Sequence, residues 1–115
     1  MIARGDIRWF RFNRPDKRRP VVILGRPEVM AALSQIVVIP CTTNVRGLAW
    51  EVVLDERDGM AVRCTLRVEW IRAVARLELG ARIATFPETR WSELRRAVVT
   101  GQISQGYVIL ENCEQ

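Results

Sequence analysis

Hydrophobic and polar residues alternate or form short runs over the first two thirds of the chain, which is the pattern of β-strands. Residues 6–12, "DIRWFRF", alternate aromatic or aliphatic residues with arginines. This pattern predicts a strand with Ile7, Trp9 and Phe12 on one face and arginines on the other. The segment "NRPDKRR" that follows is rich in turn-forming residues.

A short continuous apolar run at 20–25 predicts a strand that is buried on both faces, and a second run at 35–42 predicts another strand. The run at 20–25, "PVVILG", is separated from the run at 35–42, "QIVVIPCT", by a stretch at 26–33 that suits a brief helix. Further short strands are predicted at 50–55 and 81–86, with the turn "ERDG" after the first of them.

The segment 61–74, "AVRCTLRVEWIRAV", alternates over much of its length and predicts one longer strand. One face would carry Val62, Cys64 and Leu66. The other would carry Arg63, Thr65, Arg67 and Glu69.

Near the C-terminus the hydrophobic period changes to that of a helix, predicted over residues 87–101. Pro87 fits the first helical position, and Gly101 fits the position just after a helix end. Trp91, Leu94 and Val98 form the apolar stripe. The predicted architecture is mainly β: one small, mostly antiparallel barrel of five to seven strands with a C-terminal α-helix, over residues 1–101.

The tail, residues 102–115, contains one more apolar run at 107–110, which suits an added strand or a contact with another chain. Neither a domain linker nor an internal repeat interrupts the chain. Its 115 residues and 49% hydrophobic content indicate a single domain with a real core. No apolar run approaches the roughly 20 residues that cross a membrane, and the N-terminus lacks a signal-peptide pattern. We therefore expect a soluble, cytoplasmic protein.

The net charge of +5 is concentrated at the N-terminus, since residues 1–20 hold seven of the 18 cations and only two carboxylates. A basic N-terminal segment on an otherwise neutral chain is typical of a protein that binds a polyanion such as nucleic acid. An ordinary solvated surface would explain the same charge equally well. Three cysteines without CxxC spacing indicate free thiols, with Cys41 and Cys64 in the core. Histidine is absent, which weakens Cys-His, Ser-His-Asp and ordinary zinc chemistry; we expect no metal and no cofactor.

Three polar elements adjoin the predicted buried strands: Arg18-Arg19 before Pro20, Thr42-Thr43-Asn44 after a strand, and Arg67 with Glu69. Alternation along one strand would place Arg67 and Glu69 about 7 Å apart on the same face. Taken one at a time, these elements read first as a solvated turn, ordinary turn chemistry and a surface salt bridge worth under about 1 kcal/mol.

Five short motifs in one order give the chain a specific resemblance. They are "RGDI" at 4–7, "RPV" at 19–21, "PCT" at 40–42, "EWIRA" at 69–73, and the C-terminal amphipathic helix. Over residues 2–101 the chain resembles the MazF/PemK (Kid) family, the toxin halves of bacterial toxin–antitoxin pairs. The resemblance implies an SH3-like, CcdB-like barrel, a homodimer, a cognate antitoxin, and metal-independent cleavage of single-stranded RNA at short sequences.

The resemblance also implies roles for particular residues. Arg19 and Thr42 match the family's phosphate-handling arginine and threonine, and Arg67 and Glu69 match its Arg-x-Asp pair. In the implied reaction a ribose 2′-OH attacks the adjacent phosphorus and leaves a 2′,3′-cyclic phosphate, with Glu69 as base and the arginines as charge stabilisers. The expected RNA-binding residues around this catalytic set are Lys17, Arg18, Thr43, Asn44, Trp70 and Arg72.

The chain also departs from the family pattern. Its first loop is short and lacks histidine, glutamate replaces aspartate at 69, and Trp70 replaces a common glutamine. Two alternatives therefore stay open. The CcdB toxins share the barrel but poison DNA gyrase without cleaving RNA, and a barrel with a decayed site would bind nucleic acid without cutting it.

Overall fold

A computed structural model describes residues 2–12 and 18–104 of the chain. The strands within this part are β1 (Asp6–Arg11), β2 (Arg18–Ile23), β3 (Gln35–Thr42), β4 (Val52–Leu54), β5 (Cys64–Leu66), β6 (Arg72–Ala75) and β7 (Arg82–Thr85). The α-helices are α1 (Pro27–Met30) and α2 (Trp91–Ser104). Short 3-10 turns lie at Glu56–Asp58, Val68–Trp70, Arg76–Glu78 and Glu88–Arg90.

The strands form one curled sheet in the order β4-β5-β3-β2-β1-β7, and every described pair is antiparallel. Strand β3 pairs with β2 along one edge. Along its other edge, its first half pairs with β6 and its last two residues pair with β5. The predicted small antiparallel barrel with a C-terminal helix is confirmed, in the form of a half-barrel.

The curled sheet buries side chains on both faces. Val22 belongs to a larger cluster that also contains Leu66 and Phe86, whereas its neighbours Val21 and Ile23 belong to a second cluster with Phe10. This confirms the prediction that β2 is buried on both faces. Cys41 and Cys64, with 1% and 3% of their surfaces exposed, lie in the larger cluster as predicted.

The long strand predicted over 61–74 is wrong. Strand β5 ends at Leu66, a 3-10 turn follows at Val68–Trp70, and β6 begins at Arg72. Strand β3 explains the break, because its last residues pair with β5 and its first residues pair with β6. The chain has to turn to pass from one position to the other. Val62 lies before β5 and is 62% exposed, so it does not share the core face of Cys64.

In β1 the predicted faces are partly corrected. Ile7 lies in the larger core cluster, but Phe10 is buried in the second cluster and Phe12 packs against that cluster as well. Phe10 and Phe12 stand two residues apart and so share a face, in edge-to-face contact with 4.8 Å between ring centroids. Phe12 therefore does not share the face of Ile7.

The "RGDI" motif has a structural role in this fold. Gly5 has a φ of 89°, which favours glycine, and its backbone bonds to Ile23 and Phe86. Asp6 is buried and accepts hydrogen bonds from the Ala3 backbone N–H and from Arg8 Nε, both at 3.0 Å. The motif thus joins the N-terminus to the sheet.

Helix α2 follows a 3-10 turn after Pro87 and packs through Leu94, which is buried, with Trp91 and Val98 beside the core. The predicted stripe is confirmed, but the predicted end at Gly101 is wrong because the helix runs to Ser104. Gly101 is buried inside the helix, and a Cβ there would lie 2.7 Å from Val68 Cγ2. This glycine permits close packing rather than ending the helix.

Within the described residues, no helix is long and apolar enough to cross a membrane. The apolar run at 107–110 and Cys113 lie outside the described residues, as does Lys17. The division into a barrel at 1–101 and a tail at 102–115 stays a prediction.

Candidate active site

The guanidinium groups of Arg19 and Arg67 both lie over the ring of Trp70. The guanidinium carbon of Arg67 lies 4.1 Å from the centroid of the Trp70 ring, and that of Arg19 lies 5.5 Å from it. Arg19 comes from β2, whereas Arg67 immediately precedes the 3-10 turn after β5 and Trp70 is the last residue of that turn. Cation–π contacts of this kind contribute about 0.5–2 kcal/mol each. The ring therefore keeps two like charges close together.

Arg67 is further fixed by Glu69. Its Nε and Nη2 both donate to Oε2 of Glu69, at 2.9 and 2.7 Å. The side chains are only 10% and 8% exposed, so this is not the surface salt bridge that alternation along a strand suggested. The pair is in direct contact because the 3-10 turn brings residue 69 back beside residue 67. Pro40 O accepts a hydrogen bond from the Arg67 backbone N–H at 2.8 Å and anchors the turn to β3.

Arg46 is a third cation of this group, which we call the arginine cluster: Arg19, Arg46 and Arg67, with Glu69 and Trp70. Its Nη2 donates to the same Oε2 of Glu69 at 3.3 Å. The loop that carries it is fixed by Glu51, whose Oε1 accepts hydrogen bonds from three successive backbone N–H groups, residues 46–48. Three guanidiniums against one carboxylate leave the cluster with a net positive charge, as a phosphate site requires.

The environment of Glu69 shifts its acidity in opposing directions. Burial alone would raise the pKa of Glu69, but hydrogen bonds from Arg67 and from the backbone, with the charge of Arg67 and the Trp50 side chain, together lower it. The carboxylate is therefore ionised at neutral pH. Its second oxygen, Oε1, is buried and makes no hydrogen bond of normal geometry. The Trp50 side chain nevertheless favours the ionised form of the carboxyl group.

Helix α2 supports the turn that carries this carboxylate. Gly101 lies against Val68 of the turn and against the indole of Trp50, where a Cβ would come within 3.3 Å of Cδ1. Val68 is itself buried in the larger cluster. The helix thus acts on the arginine cluster through packing at Gly101.

Thr42 lies at the end of β3 beside Arg19. The paired residues Val21 and Pro40 fix the register of β2 and β3, and two residues further along Arg19 and Thr42 come level with each other. Residues level with each other on antiparallel strands project to the same face. The Thr42 hydroxyl oxygen accepts a hydrogen bond from the Asn44 backbone N–H at 3.2 Å, and the side chain stays partly exposed.

A pocket of about 440 Å³ opens beside Arg19 and Thr42, which both contribute to its lining. Its wall includes Trp9, with the Arg18 guanidinium carbon 4.3 Å from its ring centroid, and the two core cysteines. Donation from Cys41 to Cys64 raises the pKa of the Cys41 thiol, which burial raises further, and lowers that of Cys64. Thr43 and Asn44 also line this pocket.

The structure thus divides the predicted site residues into groups. Arg19, Arg67, Glu69 and Trp70 form one contact network, with Thr42 adjacent on the same face. Arg18, Thr43 and Asn44 line the adjoining pocket, to which Arg19 and Thr42 also contribute. Arg72 lies in a separate groove, 5.4 Å from the Phe12 ring centroid.

Two residues of this site were not predicted from sequence. Arg46 lies in the loop "TNVRGL", and no spacing relates it to Glu69; only its position among turn residues signals exposure. Trp50 precedes a strand and reads as a core residue. Among residues 2–12 and 18–104, no three His, Cys, Asp or Glu side chains are placed to hold a metal ion.

The fold and the cluster together define a class: a small antiparallel barrel with a cationic, aromatic site suited to the phosphates and bases of nucleic acid. Comparison with known proteins specifies the family. Residues 3–100 match the model of the "PemK-like, MazF-like toxin of type II toxin-antitoxin system". The chain belongs to this family.

Individual proteins similar to this chain support the family assignment. The chain is 35% identical over 89 residues to "Probable endoribonuclease MazF5" of Mycobacterium tuberculosis, covering 76% of this chain and 81% of that protein. It superimposes on the Mycobacterium tuberculosis toxin MazF-mt6 with a TM-score of 0.76 and 30% identity, covering 84% and 94% of the two chains. A mycobacterial endoribonuclease in complex with its cognate antitoxin shares the fold, with a TM-score of 0.75 and 16% identity over 88% and 94% of the chains.

Proposed function

We propose that this protein is a cytoplasmic endoribonuclease toxin that cleaves single-stranded RNA at short specific sequences, without a metal, and leaves a 2′,3′-cyclic phosphate. The observation that carries the proposal is the contact of Arg19 and Arg67 with one tryptophan ring in a member of the PemK/MazF toxin family. Relatives of this family are named endoribonucleases. A reaction through the 2′-OH restricts the substrate to RNA.

In the proposed mechanism the scissile phosphate binds between Arg19 and Arg67, with the Thr42 hydroxyl as a further donor. Guanidiniums held in place before the reaction stabilise the charge that develops on the phosphorane oxygens. Arginine is a poor proton donor because its pKa is above about 12, so the leaving 5′-oxygen takes its proton from water.

Glu69 accepts the proton of the 2′-OH in this mechanism. In the unbound protein Arg67 and Arg46 occupy its Oε2 and its Oε1 is buried. An incoming phosphate competes for Arg67, because a phosphate and a carboxylate present similar acceptors to a guanidinium fork. As the phosphate takes over part of the hydrogen bonding of Arg67, Oε2 of Glu69 keeps its contact with Arg46. The pKa of Glu69 then rises, which makes it a better base.

We assign a homodimer and a cognate antitoxin as partners. The support is the family match and the fold shared with an endoribonuclease in complex with its antitoxin. The positive arginine cluster suits an acidic antitoxin segment that occupies the phosphate site.

The test is incubation of purified protein with a long single-stranded RNA in excess EDTA, followed by mapping of the new ends. The proposal predicts discrete cuts with cyclic-phosphate ends, abolished by Arg67→Ala and by Arg19→Ala in variants whose thermal unfolding is unchanged. Intact RNA would reject the proposal. Bound but uncut RNA would favour a decayed site, and gyrase-dependent DNA breaks would favour a gyrase poison.

A further inference from the structure

A second groove, of about 600 Å³, opens between the end of β1 and β6. In the part of the chain that the structure describes, residues 2–12 and 18–104, it shares no lining residue with the pocket that contains Trp9 and Arg18. Its walls combine aromatic, amide and charged groups. They include Phe10, Phe12, Gln35, Arg72 and Glu78.

The groove contains a ready stacking surface. The Phe12 ring is partly exposed, and Phe10 supports it in an edge-to-face contact at 66°. The Arg72 guanidinium carbon lies 5.4 Å from the Phe12 centroid, and the Arg72 residue is exposed. An aromatic face beside an arginine is the combination that proteins use to hold an unpaired base and its phosphate.

The groove and the arginine cluster lie on the same face of the sheet. Phe10 pairs directly with Arg19, so their side chains share a face, and Phe12 follows on that face two residues later. Arg72 pairs directly with Val38, which packs in the same cluster as Phe10. One strand of RNA can therefore reach both places without crossing the sheet.

We propose that this groove is a second nucleotide subsite, in which a base flanking the scissile phosphate stacks on Phe12 while Arg72 contacts the backbone. The inference rests on the proposed function for the identity of the ligand. It adds a determinant of cleavage sequence that lies outside the arginine cluster.

The remaining polar groups of the groove bear on which base it takes. Glu78 is an acceptor and Gln35 is both a donor and an acceptor. A carboxylate accepts from an exocyclic amino group, as in readout of cytosine N4. Glu78 therefore favours a base with an exocyclic amino group, whereas Gln35 can pair with either an amino group or a carbonyl oxygen.

The experiment uses an oligoribonucleotide spanning a mapped cut, made uncleavable by a 2′-deoxy group at the scissile nucleotide. The fluorescent base 2-aminopurine is placed at each flanking position in turn. The wild-type protein should quench the fluorescence strongly at one flanking position. Phe12→Ala should abolish that quenching and weaken binding about tenfold or more, whereas Phe12→Trp, which keeps a ring, should retain both.

Arg72→Ala provides a second, independent variant, because its exposed side chain can be removed with little risk to folding. It should weaken binding and reduce the salt dependence of binding by about one phosphate contact. Equal quenching and equal affinity in wild type, Phe12→Ala and Arg72→Ala would overturn the subsite.

The two proposals fail separately. Specific cutting by the wild-type protein with an unchanged cleavage sequence in Phe12→Ala would remove the subsite and leave the ribonuclease. If the wild-type protein cuts no RNA, the oligoribonucleotide is taken instead from the RNA that the protein protects. Position-specific quenching lost in Phe12→Ala would then preserve the subsite and remove the ribonuclease.

Discussion

Arg67 donates two hydrogen bonds to a single oxygen of Glu69, at 2.9 and 2.7 Å, and leaves the other oxygen of that carboxylate without one of normal geometry. The arrangement fixes the arginine and holds the carboxylate in its ionised form. It links the two residues of the proposed reaction before substrate arrives, so a change in one of them should alter the behaviour of the other.

The first prediction concerns the pH dependence of cleavage. Because Arg67 helps to lower the pKa of Glu69, the acid limb of kcat/KM should lie below the ordinary glutamate pKa of about 4.3. Arg67→Lys keeps a charge but loses the two-bond contact, so the pKa of Glu69 should rise and the acid limb should move to higher pH. A pH–rate series on both proteins checks this, with Arg63→Lys, which changes an exposed arginine, as control. An acid limb at the same pH in Arg67→Lys would show that Glu69 is not the titrating base.

The second prediction concerns Trp70, which is 39% exposed and contacts both arginines. Trp70→Leu should weaken cleavage by about three- to thirtyfold, because it removes cation–π contacts worth about 0.5–2 kcal/mol. Trp70→Phe retains an aromatic face and should lose less. Single-turnover cleavage rates of the two variants give the comparison, and equal losses would argue that the ring does not act through the arginines.

Sequence patterns could predict the strands and the helix whose hydrophobic residues form one continuous run or recur at one regular spacing. The apolar runs of β2 and β3 and the stripe of α2 are such cases. The turn at Val68–Trp70 was missed because "RVEWIR" continues an alternating pattern, and only the sharing of β3 between β5 and β6 forces the chain to turn. Motif order pointed to candidate site residues, several of which the structure brings together. Arg46 could not be predicted in this way, because a long-range ion pair has no local signal in the sequence.

Gly101 illustrates the same limit, since glycine at a helix end and glycine at a close contact look alike in sequence. The third prediction follows from its position. Gly101→Ala should destabilise the fold by about 1–3 kcal/mol, because the new methyl group would overlap Val68 Cγ2. Urea unfolding measures the free energy, and Thr100→Ala, at an exposed position of the same helix, is the matched control.

If helix propensity alone governed this position, alanine would stabilise the protein by up to about 1 kcal/mol. An increase in the free energy of unfolding for Gly101→Ala would therefore contradict the packing argument. Val68 adjoins Glu69, so Gly101→Ala should also lower the cleavage rate, whereas Thr100→Ala should leave it unchanged.

The fourth prediction concerns the two buried thiols. The pKa of Cys64 is lowered by a hydrogen bond from Cys41, and the same contact raises the pKa of Cys41. Because the thiolate is the reactive form, Cys64 should be alkylated before Cys41 as pH rises from 7 to 9. Peptide mass mapping after timed iodoacetamide treatment gives the order, with urea-unfolded protein as control. Faster labelling of Cys41 in the folded protein would contradict the assigned direction of the hydrogen bond.

The central claim is that Arg19 and Arg67 form the RNA-cleaving site, and single-turnover cleavage of one oligoribonucleotide tests it most directly. The proteins compared are the wild type, Arg19→Ala, Arg67→Ala and Arg57→Ala, the last removing a cation whose side chain is 91% exposed. We expect the cleavage rate to fall about 10²-fold or more in Arg19→Ala and in Arg67→Ala, and not to change in Arg57→Ala. Equal rates in all four proteins would contradict the central claim.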